Sequence, residues 1–244
     1  MKKKYHFGQR GESLADAVVR EATAQIEKYG ESAFSVRKVA EELEVSATAP
    51  IQHFRSKDDL LLAVAQDGFR VLGEAIAGAM ASSKTARTAI LNSAAAYIDF
   101  AKQRPRLYQL MFSPRFGQTA EGEEAGGWRT IEADASAWPA NFPYKSALAD
   151  AVAMSSARSD YWSRSSRDRS SYVEAHRAFV APLYNMFREY VVEIFGNRNV
   201  DDRTLGLTLL LHGLGAQLAA GWIRRPAEES SRELIERFIA PLLP

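Results

Sequence analysis

A chain of 244 residues holds one to two domains at about 150 residues each. With 46% hydrophobic and 25% charged residues it has the composition of a globular protein, which excludes whole-chain disorder and collagen-like repeats. The 31 basic and 30 acidic residues leave a net charge of +1, so bulk electrostatics name no partner. The absence of cysteine excludes disulfides, iron–sulfur clusters, cysteine zinc sites and thiol catalysis.

The opening Met1-Lys2-Lys3-Lys4-Tyr5-His6 is basic. No apolar stretch of about 7–15 residues follows it, so no signal peptide and a cytoplasmic protein are expected. Strand signals are nearly absent, and helical periodicity recurs. Leu14, Val18, Ala22, Ile26 and Tyr29 mark a first helix closed by Gly30. Val36, Val39, Ala40 and Leu43 fall at i, i+3, i+4, i+7 in a short second helix, with Ser35 placed to cap it. Ser46 is a cap candidate for a third short helix reaching Phe54. Ser56 caps a long fourth helix with Asp58 and Asp59 in its first turn and Leu60, Leu61, Val64, Phe69, Leu72 and Ile76 on its apolar side. After a break at Ser82–Thr85, Ile90, Ala94, Tyr97 and Ile98 carry a helix to Arg104, and Pro105 starts a short one through Phe112.

From residue 117 to 171 the periodicity fails, which predicts a long insertion with one helix at Lys145–Met154. Regularity returns with Val173, His176, Val180, Leu183, Tyr184, Phe187, Val191 and Ile194, a helix ended by Gly196. Thr204 to Ile223 contains no charged residue, about the length of a membrane span. His212, Gln217, two threonines and four glycines in that stretch fit a helix buried in a bundle or subunit interface better than one in lipid. Asp201 is placed to cap it, and Pro226 separates it from a last helix with Leu234, Ile235, Phe238 and Ile239. The chain is predicted to be all-α.

Two short helices joined by about four residues, the second too short and polar for a core helix, read as a helix-turn-helix. Such a second helix fits a major groove roughly 12 Å wide while the first braces it. Thr48, Gln52 and His53 supply hydrogen-bonding groups, and Ala47 and Ala49 permit close approach. Pro50 is tolerated only in a first turn, so the helix opens near Ser46–Thr48.

These residues resemble the tetracycline-repressor-like (TetR) family of bacterial regulators. The correspondence runs through Ser35, Ala40, Val45-Ser46, and His53-Phe54-Arg55-Ser56-Lys57 followed by Leu60-Leu61. Tyr5-His6-Phe7-Gly8, Thr48-Ala49-Pro50, residues 100–112 and Leu211-His212-Gly213 resemble the branch whose ligand domain ends in a W-H-G signature. The resemblance covers 5–113 and 173–222. It implies a DNA-binding domain at 1–68 and a ligand-binding and dimerisation domain at 69–244. Ser35, Arg37, Ser46, Ala47, Thr48, Ala49, Gln52, His53 and Lys57 are the expected DNA-binding set, with Arg37 and Lys57 near phosphates and the Lys2–Lys4 arm adding salt-dependent attraction. Three departures stand out. Glu44 occupies a turn position where the family often has glycine, and a left-handed residue there costs about 1–2 kcal/mol without glycine, so a somewhat different turn is expected. Ile51 replaces a phosphate-binding tyrosine, and Leu211 replaces the tryptophan of the signature. Residues 1–70 hold eleven basic and eleven acidic residues, so DNA affinity rests on local placement.

The resemblance further implies a homodimer on a palindromic double-stranded DNA operator, released by a small-molecule inducer, with no membrane partner. Tyr97, Phe100, Tyr108, Met111, His176, Phe179, Tyr184 and His212 could line a drug-sized hydrophobic pocket. The small residues Gly213, Ala216, Ala220 and Gly221 suit a close dimer interface. His176 and His212 lie 36 residues apart with no local H-x-x-x-H, so a metal site is not expected. No Walker loop, dinucleotide fingerprint, H-E-x-x-H or G-x-S-x-G elbow is present. No cofactor and no enzymatic activity are expected. A helical hydrolase and a membrane-associated sensor using the uncharged helix are the rival readings.

Overall fold

The computed structural model describes residues 13–113, 185, 187–223 and 229–244. The expected insertion, the helix at Lys145–Met154, the Lys2–Lys4 arm, Pro226 and most of the helix beginning at Val173 lie outside the described residues. Every regular element among the described residues is helical.

Helix α1 (Leu14–Tyr29) opens on a capping box. The Ser13 hydroxyl accepts from the Asp16 N–H at 3.1 Å, and the Asp16 carboxylate accepts from Ser13. Gly30 ends the helix at φ +81°, a conformation glycine adopts without steric cost. Helices α2 (Val36–Glu42) and α3 (Ala49–Phe54) pack on each other and on α1. Helix α4 (Lys57–Ala81) begins where the Ser56 hydroxyl accepts the Asp59 N–H at 3.0 Å, with Asp58 and Asp59 against the positive end of the helix dipole. It runs unbroken for 25 residues, about 38 Å, through the domain boundary expected at residue 68. Helix α5 (Ala86–Gln103) starts on a Thr85–Thr88 capping box, and α6 (Pro105–Met111) carries proline in its first turn.

Residues 187–195 form α7, ended by Gly196, and α8 (Val200–Ala219) and α9 (Ser231–Phe238) follow. One core runs from α1 to α9, with α5 packed against α4, α6, α8 and α9. Its alanines at 89, 94 and 101 let neighbouring backbones come close. At the far end Arg87 donates to the carbonyls of Ala240, Leu243 and Pro244, tying the last turn to α5.

Several local expectations are corrected. Ser35 sits at the start of α2 with extended backbone but makes no side-chain capping bond. Thr48, not Ser46, occupies the cap position of α3, and the two hydroxyls lie 3.3 Å apart. Asn199, in left-handed conformation, precedes α8, while Asp201 lies in its first turn and pairs with Arg188 at 2.6 Å. Tyr29, read as an apolar position, is exposed.

The uncharged stretch is one-sided. Thr204, Leu207, Leu211 and Gly215 face the core, whereas Gly206, Leu209, Leu210, Gly213, Gln217 and Ala220 are exposed. Among the described residues no helix is long and apolar enough to cross a membrane.

Candidate nucleic-acid interface and a buried tyrosine–histidine cluster

The turn between α2 and α3 is built by the backbone. The Val45 N–H donates to the Ala40 carbonyl at 3.0 Å and the Glu44 N–H to the Glu41 carbonyl at 3.2 Å. This is the bond pattern of a Schellman ending, with Val45 packed against the core. Such an ending places its C′ residue in left-handed space, and Glu44 is there, at φ +55°. The turn is therefore retained despite the glutamate. Two backbone bonds and the buried Val39, Ala40 and Leu43 hold a conformation that costs a non-glycine residue about 1–2 kcal/mol.

That turn sets the phase of α3. Ala49, Pro50 and Phe54 are buried, and Ser46, Ala47, Thr48, Ile51, Gln52 and His53 are exposed. Ala49, expected beside DNA, instead faces the domain's own core at 9% exposure. Its neighbour Ala47 keeps the outward position. Past α3 the chain reverses at Arg55, φ +51°, so that Ser56 can cap α4. Lys57 is exposed, its Nζ 5.5 Å from the ring of buried Phe34, which fixes the side of the domain that carries this charge. Arg37 is exposed too, but its guanidinium is paired with Glu41 at 3.0 Å one helical turn along. Among the described residues, then, Thr48, Gln52 and His53 are exposed on α3 and its leading turn, and Lys57 is exposed at the start of α4.

The second constellation lies between helices of the bundle, with Tyr108 buried and Tyr97 and His212 half-buried. Tyr97 on α5, Tyr108 on α6 and His212 on α8 form a hydrogen-bonded triangle. The Tyr108 hydroxyl lies 2.9 Å from His212 Nδ1 and 2.9 Å from the Tyr97 hydroxyl, which is itself 3.2 Å from Nδ1. A neutral imidazole protonated on Nε2 accepts at Nδ1 from a phenol, which satisfies the triangle. Burial raises Tyr97 well above the ordinary phenol value, and the adjacent Tyr108 adds to the rise. Burial pushes Tyr108 up to about 12, against a lowering bond from Tyr97. Burial lowers His212. All three groups are neutral near pH 7.

Phe112 completes the cluster, its ring 4.4 Å from His212, 4.7 Å from Tyr108 and 5.2 Å from Phe69. Gly215 makes room for it: a Cβ there would stand 2.9 Å from the Tyr108 hydroxyl and 3.1 Å from Tyr97. Of the expected pocket residues, the structure brings Tyr97, Tyr108 and His212 together. Phe100 is buried in the core of α5, and Met111 packs against Gly68 of α4. His176, Phe179 and Tyr184 lie outside the described residues. Of the expected interface residues, Gly213, Ala220 and Gly221 are exposed, while Ala216 is partly buried against the core. Sequence reasoning missed Phe112 and Gly215 as parts of the cluster; no local pattern marks them.

Helix α6 also reaches the amino-terminal helices. Arg106 donates to the carbonyls of Glu27 and Lys28 at the end of α1, and Arg104 lies 3.5 Å from the Glu27 carboxylate. Beside this contact a cleft of about 380 Å³ opens between α1 and α4, lined by Asp16, Arg20, Glu27, Asp67, Arg70 and Arg104 among others. Its charges answer one another, as with Arg70 and Asp67 at 2.9 Å.

Residues 18–64 match the family model for bacterial regulatory proteins of the tetR family. No curated protein matches the chain. The fold is similar to that of a protein with unknown function from Rhodococcus sp. RHA1 (TM-score 0.61, 20% identity, 95% of this chain and 94% of that one). It is also similar to a bacterial regulatory protein in the tetR family from Rhodococcus RHA1 (TM-score 0.54, 13% identity, 94% and 95%). At these identities the likeness concerns the fold: a helix-turn-helix domain followed by a helical bundle. The matched segment contains α2, the left-handed turn at Glu44 and α3, so the likeness to bacterial regulatory proteins of the tetR family rests on the helix-turn-helix itself.

Proposed function

We propose that two copies of this chain bind a palindromic operator through α3 and act as a repressor that a small hydrophobic or aromatic molecule releases. The observation that carries this reading is the partition of α3, with Ala49, Pro50 and Phe54 inward and Thr48, Gln52 and His53 outward. A helix with those groups exposed at the edge of a small domain suits the major groove. Residues 1–68 then act as the DNA-binding domain and 69–244 as the ligand-binding and dimerisation domain. Ser46, Ala47, Thr48, Gln52 and His53 face the DNA, and Arg37 and Lys57 approach phosphates. The exposed small and apolar residues of α8, among them Leu209, Leu210, Gly213 and Ala220, support an isologous dimer in which each copy covers the other's stripe. Tyr97, Tyr108 and His212, in the half of the molecule remote from α3, form the polar anchor of the inducer site, in keeping with the branch whose signature Leu211-His212-Gly213 resembles. Release requires that the inducer bind the DNA-free conformation more tightly than the DNA-bound one. A DNA-binding role of this kind places the protein in the cytoplasm.

Selection of bound duplexes from a random pool at low salt tests the main claim. The expected product is an inverted repeat, and a wild-type protein that enriches no sequence refutes the reading. Light scattering is expected to show a dimer that Ala220→Arg dissociates by burying an unpaired charge. A thermal-shift screen of apolar compounds is expected to yield hits that also release DNA.

A further inference from the structure

The reading of α3 as the base-reading helix, on which this inference rests, can be taken down to the kind of base pair it selects. Between Lys38 and Arg55 the chain contains no lysine or arginine. The outward positions are Ser46, Ala47, Thr48, Ile51, Gln52 and His53. In the major groove guanine is read most often by a bidentate arginine or lysine on O6 and N7, adenine by glutamine or asparagine on N6 and N7, and thymine by apolar contact with its 5-methyl group. The nearest cations lie outside α3. Arg37 is held by Glu41 on α2, Lys57 stands by the Phe34 ring, and Arg55 lies beyond the last residue of α3.

What remains on α3 and its leading turn is the Gln52 amide, the Ser46 and Thr48 hydroxyls, the His53 ring and the apolar Ile51. Thr48, Ile51 and Gln52 fall at i, i+3 and i+4, which puts them on one helical face. Ile51 is 37% exposed there, and as an aliphatic side chain in place of a phosphate-binding tyrosine it offers an apolar contact instead of a phosphate bond. We infer that Ile51 and Gln52 read adjacent A·T pairs, Ile51 against a thymine methyl and Gln52 bidentate to adenine, so that each operator half-site is centred on A·T and not on G·C.

The full-length protein and its selected duplex provide the test. Thymines of the half-site are replaced one at a time by uracil, which removes only the 5-methyl group. Wild type is expected to lose about fourfold in affinity at one position, the worth of one buried methyl. Ile51→Ala is expected to bind the thymine and uracil duplexes equally. Gln52→Ala is expected to lose about tenfold or more and to flatten the preference for adenine. Half-sites centred on G·C, or a wild-type protein indifferent to every uracil, overturn the inference while leaving DNA binding intact. Failure to select any sequence overturns the DNA-binding reading and this inference with it. The uracil series on wild type needs no variant, so a folding defect in Ile51→Ala would not spare the inference.

Discussion

The surface of α3 and the tyrosine–histidine triangle make opposite use of polar side chains. On α3 the amide of Gln52 and the ring of His53 stand in solvent on a helix of six residues whose other side is buried. In the triangle, Tyr97, Tyr108 and His212 come from three helices of the bundle and bond to one another. The first region leaves its polar groups open to DNA, and the second bonds its groups to one another. Substitutions on α3 should therefore register in DNA binding and hardly in stability, and substitutions in the triangle should register in stability and hardly in DNA binding.

The largest effect on unfolding is expected from Tyr108→Ala. It removes a 2%-exposed aromatic ring and leaves His212 Nδ1 with the longer Tyr97 contact, a loss of about 3–5 kcal/mol in a denaturant titration. A loss below about 1 kcal/mol would show that the triangle is not structural. Alkaline titration gives the next effect. Tyr108 and Tyr97 are raised in the folded protein, so their contribution is whole below pH ~10 and is lost as pH rises toward about 12, on the order of 2 kcal/mol for Tyr108. Absorbance at 295 nm should show two of the nine tyrosines ionising late. On the acid side His212 is depressed, so its contribution is present above pH ~6.5 and is lost as pH falls through the folded value.

Glu44→Gly should stabilise the protein by about 1 kcal/mol, because glycine relieves the left-handed strain at that turn. A destabilised variant would mean that the glutamate side chain holds the turn in place. The smallest effect on unfolding, within about 0.5 kcal/mol, is expected for exposed Lys57→Ala. The same variant should weaken binding evenly on all duplexes and reduce the slope of log affinity against log salt by about 1. A sequence-dependent loss would move Lys57 from the phosphates to the bases and blur the contrast between the regions.

The same contrast governs how much the sequence disclosed. The helix-turn-helix was legible because its signals are local: the Val36–Leu43 spacing, Pro50 confined to a first turn, and Ser56 ahead of two aspartates. Ala49 was misassigned because the phase of a six-residue helix follows from its turn, and the glutamate there, which sits at φ +55°, pointed to a somewhat different turn. Ser46 and Asp201 have the chemistry of caps but lost the position to neighbours, Asp201 being drawn off by Arg188. Tyr97, Tyr108 and His212 were recognisable as a polar and aromatic set. Their mutual bonding was not, since it spans 104 and 115 residues of chain. Gly215 reads as one small residue among several, and only the approach of two phenols gives it a purpose.

Helix α6 joins these two worlds in seven residues. Arg106 is fastened to the last carbonyls of α1, and two residues on Tyr108 is fastened to His212. A helix shorter than two turns has little room to bend, so its two fastenings are displaced together or not at all. Free-energy coupling of that kind is symmetric. If strain at the triangle loosens the grip on α1, then clamping α1 from outside must tighten the triangle, and the late-ionising phenols become a spectroscopic gauge of what the amino-terminal helices are holding.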